Sequence, residues 1–272
     1  MLRGSYRCSV AGSRVFSVCA LVPPRQAGAS TPRNDTLIPG RILTANFLAG
    51  ALVGARDSPL FILRIDPAGL PFIVGALVVA ALSGLAAGWT LAIPFVVVGA
   101  FFVFFFRDPD RRAPAGVSDA AVLSPADGRV LVAGPATAEA TPPGSWQQIS
   151  IFLSPMDVHV NRLPVSGHVT RVSVTPGRFL PAYRHEAAAA NERSEVWIDH
   201  GGQLIVVRQI VGILARRVVC RLEPGAEVRA GERFGIMKFG SRMDVFVPLG
   251  AAITVKVGDR ARGGETVIAV LH

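Results

Sequence analysis

Lysine is nearly missing from this chain: only two of its 28 basic residues are Lys, and the 26 Arg are scattered rather than gathered into runs interleaved with aromatics. That distribution argues against a nucleic-acid partner in spite of a formal net charge of +9, and leaves an anionic bilayer surface as the other polyanion to consider. Cysteine is equally sparse. Cys8, Cys19 and Cys220 form an odd, widely spaced set, which excludes a disulfide-stapled module and reads as reduced or incidental thiols in a cytosol-facing protein. The five histidines, His159, His168, His185, His200 and His272, show no HExxH or Cys/His spacing, so no metal site is expected. A GxSxG elbow, a Walker loop and a GxGxxG turn are also lacking, which argues against a conventional hydrolase, NTPase or dehydrogenase. Half of the residues are apolar and the mean hydropathy is +0.44, so the chain is not a disordered tail.

Charge is absent where hydrophobicity is greatest. From Pro67 to Phe106 there is not one Asp, Glu, Lys or Arg. As a single helix these positions would extend about 60 Å, roughly twice a bilayer's hydrocarbon thickness. Gly84, Gly88 and Pro94 predict instead two spans or a re-entrant hairpin broken between Ser83 and Trp89. Arg64 precedes the stretch and Arg107, Arg111 and Arg112 follow it, so both ends suit the cytoplasmic face of a membrane. Residues 1 to 58 begin with five Arg and no acid in the first 34 positions. They read as a leader or an over-extended N-terminus, lacking order of their own.

Beyond Asp108-Pro109-Asp110 the texture becomes strand-like. Residues 117–132, 148–153, 167–174, 194–198, 203–213 and 216–221 are Val/Ile-rich runs bounded by Gly, Pro or Asp, and only 182–193 reads as a helix. The expected class is α+β: a β-rich catalytic domain over 107–272, preceded by an apolar, membrane-associated helical hairpin over 59–106. Short echoes such as Gly128-Arg-Val and Gly167-His-Val are read as strand punctuation rather than as solenoid repeats.

One stretch carries unusual chemistry. Two strand-like runs flank Gly240-Ser241 within residues 234–248. A glycine in a strained bend exposes its carbonyl to the following hydroxyl, and with a base at hand Ser241 could attack the Gly240 carbonyl in an N-to-O acyl shift. A plain Gly-Ser hairpin turn is the alternative, and context must decide.

The context is three segments in order: Ser124-Pro-Ala-Asp-Gly-Arg-Val130, Ser154-Pro-Met-Asp-Val-His-Val-Asn-Arg-Leu-Pro-Val-Ser-Gly167 and Phe239-Gly-Ser-Arg-Met-Asp244. With the apolar hairpin before them, they make residues 60 to 272 resemble the phosphatidylserine decarboxylase proenzymes in their short bacterial and archaeal form. The resemblance implies self-cleavage between Gly240 and Ser241 into a β chain, 1–240, and an α chain, 241–272, which stay together as a heterodimer. It further implies conversion of Ser241 into a covalent pyruvoyl group, the only cofactor. That group would form a Schiff base with phosphatidylserine in an anionic membrane and release CO2 and phosphatidylethanolamine, in phospholipid biosynthesis. The catalytic domain would lie on the cytoplasmic side of the inner membrane.

Asp127 and His159 match family positions tied to processing and catalysis. In the longer bacterial form the second segment reads His-x-x-His-x-Pro, whereas here it is His159-Val-Asn-Arg162-Leu-Pro164, and guanidinium is not a base near neutral pH. The expectation is therefore that His159, oriented by Asp127, serves as base, while Arg162 binds the lipid phosphate or the substrate carboxylate. The competing reading is a biotinyl or lipoyl carrier with Lys238 at a β-hairpin tip. It leaves the upstream segments unexplained, and bulky Phe239 follows the Lys.

Overall fold

A computed structural model describes residues 64–137, 141–213, 218–238 and 240–272. The leader expected over 1–58 lies outside them. The apolar stretch forms two helices, α1 (Leu70–Ala87) and α2 (Trp89–Phe105), after a short 3-10 turn over Pro67–Gly69. The break falls at Gly88, whose φ of +89° ends one helix and starts the next. Small residues let the two helices approach: a Cβ on Gly99 would sit 3.7 Å from Ala76, and one on Gly84 would sit 3.4 Å from Ala92. At 1.5 Å per residue each helix is about 26 Å long. Neither has a polar face, and Leu82, Leu85, Trp89 and Val97 are all exposed.

The remainder is β-rich. Its strands are β1 (Ala121–Leu123), β2 (Gly128–Pro135), β3 (Trp146–Leu153), β4 (Val160–Arg162), β5 (Gly167–Thr175), β6 (Arg193–His200) and β7 (Gln203–Ile210). They continue with β8 (Val218–Cys220), β9 (Glu227–Val228), β10 (Arg233–Met237), β11 (Ser241–Pro248), β12 (Ala252–Ile253), β13 (Arg260–Ala261) and β14 (Val267–Val270). An eight-stranded sheet runs β13-β2-β3-β11-β7-β6-β5-β9, and two three-stranded sheets run β1-β14-β12 and β4-β10-β8. Among the described residues every pairing between these strands is antiparallel.

The long strand expected over 117–132 is split by the Ser124-Pro-Ala-Asp-Gly turn, because Pro125 removes a donor and a Cβ on Gly128 would lie 2.2 Å from the Phe152 carbonyl. Gly167 meets the Asp199 carbonyl in the same way, which accounts for the echo between the two Gly-x-Val phrases. The helix expected over 182–193 shrinks to one turn, α3 (Ala187–Ala190). Asn191 ends it by binding Leu180 in both directions and donating to the Val211 carbonyl, which turns the chain into β6.

Alternation along the central strands sorts the two faces of the large sheet. Met243, Val245 and Val247 of β11 join Ile149, Ile151 and Leu153 of β3 and Ile205 and Val207 of β7 in the main core. On the other face Phe246 packs with Trp146 and Val206. A second cluster joins the hairpin to the β-rich part: Phe105 and Phe106 at the end of α2 pack on Val158, Val160 and Ile236. Asp66 reinforces this joint, capping Ala68 and accepting from Arg221 through both carboxylate oxygens at 2.7 and 2.9 Å.

Candidate active site

Ser241 opens β11, the strand held between β3 and β7. Its position two residues before Met243 puts it on the core face, opposite Leu153 across the ladder, and it is completely buried. The residue before it, Gly240, has a φ of +71°. The joint is not a hairpin turn, because β10 pairs in the β4-β10-β8 sheet while β11 pairs in the large one; the chain turns a corner between sheets. Lys238 is accordingly not at a hairpin tip. Its ammonium lies 4.9 Å from the centre of the Phe72 ring, an arrangement unlike the exposed lysine that the carrier reading requires.

The Gly240 carbonyl has a neighbour that sequence reading missed. A Cβ on Gly212 would lie 1.9 Å from the Gly240 oxygen, so only glycine leaves room for that carbonyl where it is. Gly212 lies two residues past the end of β7, and nothing in its local sequence marks it; only the ladder between β7 and β11 brings it there.

His159 directly precedes β4 and is completely buried. Its ring lies 4.1 Å from that of Phe105, at the base of the hairpin. Nδ1 is 2.9 Å from the Asp157 carbonyl oxygen. A carbonyl accepts only, so Nδ1 carries the proton and Nε2 is left with its lone pair. Burial is the main reason that the ring titrates low, at about 4; Arg107 adds to the effect, and the Asp157 carbonyl and charge oppose it. The imidazole is therefore neutral near pH 7 and can accept a proton.

Asp127 sits in the turn before β2, where one carboxylate oxygen accepts from Arg111 at 2.8 Å and the other from the Gly263 N–H at 2.7 Å. Burial pushes its carboxyl above the ordinary range, with Asp157 adding to the rise, against the Gly263 hydrogen bond, Arg111 and Arg107. The group that orients the His159 ring is thus the Asp157 carbonyl, not the Asp127 carboxylate. Asp127 instead lines a cavity of about 730 Å³ at the hairpin's base, shared with Arg107, Arg111, Asp157, Arg260 and Arg262.

Arg162 is also placed differently from the expectation. Its guanidinium donates to Asp108 at 3.1 Å and to the Pro109 and Gly231 carbonyls at 2.9 and 3.0 Å. Asp108 is shared with Arg233, 2.5 Å away. These bonds tie the linker after the hairpin to the β4-β10 pair and commit three of the guanidinium's five N–H donors to the protein itself.

Among the described residues, buried side-chain atoms without a hydrogen-bond partner include His159 Nε2, Asn161 Nδ2 and Ser241 Oγ. An orphaned buried polar atom costs about 1–3 kcal/mol, so such atoms are rare in a settled core and mark places where chemistry or a ligand supplies the partner.

The low titration of His159 bears on stability. In the unfolded chain the ring takes up a proton near its ordinary value of 6.5, whereas in the folded chain it does so only at about 4. As pH falls through that window the unfolded state binds the extra proton, and up to about 3 kcal/mol of stability is lost; above it the ring contributes no pH dependence. Replacing His159 by Gln should flatten this part of the curve, measured as the chemical-denaturation midpoint between pH 6.5 and 4. An unchanged slope would show that the ring is not buried neutral.

The sequence profile of the phosphatidylserine decarboxylase family matches residues 98–269, from within α2 to the last strand. A phosphatidylserine decarboxylase proenzyme of Nitrosomonas europaea is 42% identical over 205 residues, covering 75% of this chain and 94% of that protein. One from Solibacter usitatus is 40% identical over 207 residues, covering 76% and 97%, and one from Geotalea daltonii is 42% identical over 205 residues, covering 74% and 94%. The matched span contains Gly240-Ser241, His159, Asp127 and the cavity at the hairpin's base, and on this similarity the chain belongs to the phosphatidylserine decarboxylase family.

Proposed function

We propose that this chain is a proenzyme that cuts itself between Gly240 and Ser241 and then decarboxylates phosphatidylserine at a membrane surface, using a pyruvoyl group made from Ser241. The observation that carries the reading is the buried, unpartnered Ser241 hydroxyl beside a left-handed Gly240 whose carbonyl is pressed into the notch left by Gly212. His159 Nε2 is the base: it is neutral, lacks a partner among the described residues and is held in the correct tautomer by Asp157. It takes the hydroxyl proton as Oγ attacks the Gly240 carbonyl carbon. The C–N bond breaks, an ester joins Gly240 to the Ser241 side chain, and the amine of residue 241 is freed. Loss of the Cα proton then expels the Gly240 carboxylate from Cβ. The dehydroalanine left behind takes up water and releases ammonia.

The residues suit the group that results. Position 241 is enclosed, so water has poor access, and the prosthetic group would start a strand that is paired on both sides. When formed, the pyruvoyl carbonyl supplies an electron sink for loss of CO2 from the serine headgroup. Asp127 lies in the cavity at the hairpin's base as the group proposed to relay the proton back, and Arg107 lines the same cavity as a counter-charge for a phosphate, whereas Arg111 is already held by Asp127 and Glu265. Arg162 belongs to the scaffold in this reading, not to substrate binding.

The two chains stay together after the cut. β11 is zipped to β3 over eight residue pairs and to β7 over five, while β13 pairs with β2, and β14 with β1. The hairpin supports a lipid substrate: its exposed apolar surface belongs in hydrocarbon, and the Arg107 guanidinium, 3.9 Å from the Phe104 ring centre, sits where anionic headgroups begin.

Intact-mass measurement after denaturing electrophoresis tests the cleavage. The wild-type chain should appear as two fragments split at 240/241, the smaller with a blocked N-terminus, and the Ser241→Ala chain should stay whole; a whole wild-type chain, or a cut Ser241→Ala chain, refutes the reading. A Gly212→Ala chain should also remain whole while folded. Gly167→Ala, whose Cβ would meet the Asp199 carbonyl at 2.2 Å away from the scissile bond, should lose stability and still be cut. For the membrane, replacing Leu82, Leu85 and Trp89 together by Ser should leave the cut intact and lower co-sedimentation with phosphatidylserine vesicles at least tenfold. Unaltered co-sedimentation would remove the hairpin from the binding surface.

A further inference from the structure

Asn161, in the middle of β4, is completely buried, and so are Gln209 on β7 and Ser194 on β6. The three form a relay of side-chain hydrogen bonds. Ser194 Oγ donates to Gln209 Oε1 at 2.6 Å, and Gln209 Nε2 donates to Asn161 Oδ1 at 2.8 Å. The polarity of this chain follows from the side of Gln209 that faces Ser194: its Oε1 accepts from the hydroxyl. An amide oxygen only accepts and an amide nitrogen only donates, so with Gln209 Oε1 turned to Ser194 its NH2 must face Asn161, and the Asn161 NH2 must face away. That Nδ2 is the buried donor without a partner. Space for the relay comes from Gly235, opposite Asn161 in the β4-β10 ladder: a Cβ there would meet Gln209 Nε2 at 2.9 Å.

The register of the sheet places the relay on the reactive face. Gln209 is paired directly with Met243, and Met243 is two residues from Ser241, so Gln209 and Ser241 share the core side of the sheet. Asn161 is likewise two residues from His159 in extended chain. The three orphaned atoms of this region are then one of each kind: Asn161 Nδ2 can only donate, His159 Nε2 can only accept, and Ser241 Oγ can do both.

We infer that Asn161 is a further residue of the self-cleavage machinery, donating from Nδ2 to Ser241 Oγ so that the hydroxyl proton is turned toward His159 Nε2. In the uncut chain the three atoms are not yet hydrogen-bonded to one another, and drawn together in the order Asn161, Ser241, His159 each gains a partner of the right kind. Asn161 aims the nucleophile and stays charge-neutral throughout, while Ser194 and Gln209 prevent its amide from turning over. This inference rests on the self-cleavage reading above.

The test uses the full-length chain and follows fragment formation by intact mass together with the thermal midpoint. Asn161→Asp keeps the shape and replaces the donor by an acceptor, whereas Asn161→Ala removes both. Both should slow cutting about a hundredfold, the scale on which a preorganised donor is felt, with Asp at least as slow as Ala. A purely structural amide predicts the reverse order, since Ala opens a cavity and Asp does not. Gln209→Met, which frees the Asn161 amide to turn, should slow cutting by a smaller factor. Hydroxylamine, which cleaves the Gly240 ester as it forms, should cut both Asn161 variants as slowly as they cut themselves, because the acyl shift itself is impaired. Wild-type cutting in Asn161→Asp, Ala slower than Asp, or hydroxylamine cleavage at the wild-type rate would each overturn the assignment while leaving the self-cleavage reading in place. A wild-type chain that never cuts would overturn that reading instead.

Discussion

The corner at Gly240 is the constraint on which the rest of the site depends. The chain leaves β10 in one sheet and enters β11 in another within three residues, and β11 must be central, buried and hydrogen-bonded on both edges. Those demands leave little freedom at the joint. A left-handed residue makes the turn, a glycine at 212 admits its carbonyl, and a hydroxyl that has no hydrogen-bonded place in an apolar core follows immediately. Just beyond, on the opposite face, Arg242 grips Asp244 through Nε at 2.6 Å and Nη2 at 3.1 Å, and Gln148 and Ser150 complete the network. A buried ion pair gives little net stability, but a broken one is costly, so a slip of β11 by one residue, which would throw these charges into the core, is disfavoured. The register of the strand thereby holds Ser241 in place.

The hairpin also bears on the chemistry. Its last turn delivers Phe105 to the His159 ring, and the resulting burial keeps the imidazole neutral. Asp108, two residues after the hairpin's end, is bound by both Arg162 and Arg233, which anchors the linker to the strands that carry His159 and precede Gly240. The proposed base and the proposed membrane segment are thus parts of one packed cluster, and losing the hairpin would expose the imidazole.

Much of the architecture was legible because its signals are local. Forty uncharged positions, a glycine at 88 and flanking arginines write out a helical hairpin. Val/Ile-rich runs between turn residues write out most of the strands, although Pro125 and the close approach at Gly128 cut one of them, and Asn191 reduced a helix to a single turn. Ser241, His159 and Asp127 were singled out through motif context. Gly212 and Gln209 were not, and Asn161, although inside the second motif segment, was passed over, since a glycine just past a strand and amides within strands have no chemical signature of their own. Their significance arises from which carbonyl, which amide and which hydroxyl the sheet register sets beside them. For Arg162 the motif suggested an anion, and the anion the guanidinium meets in the structure is Asp108, far away in sequence.

By itself the sequence determined the class of the chain, its apolar helical hairpin, its family and the bond at which the chemistry is expected. These depend on composition, periodicity and the order of short segments. Only the tertiary structure decided that Gly240-Ser241 is a corner between two sheets and that the Asp157 carbonyl, not Asp127, orients His159. It also decided that a relay from Ser194 ends in an unpaired amide on Asn161. Hydrogen bonds and close contacts of this kind join residues tens of positions apart, and they come into being only when the strands pair.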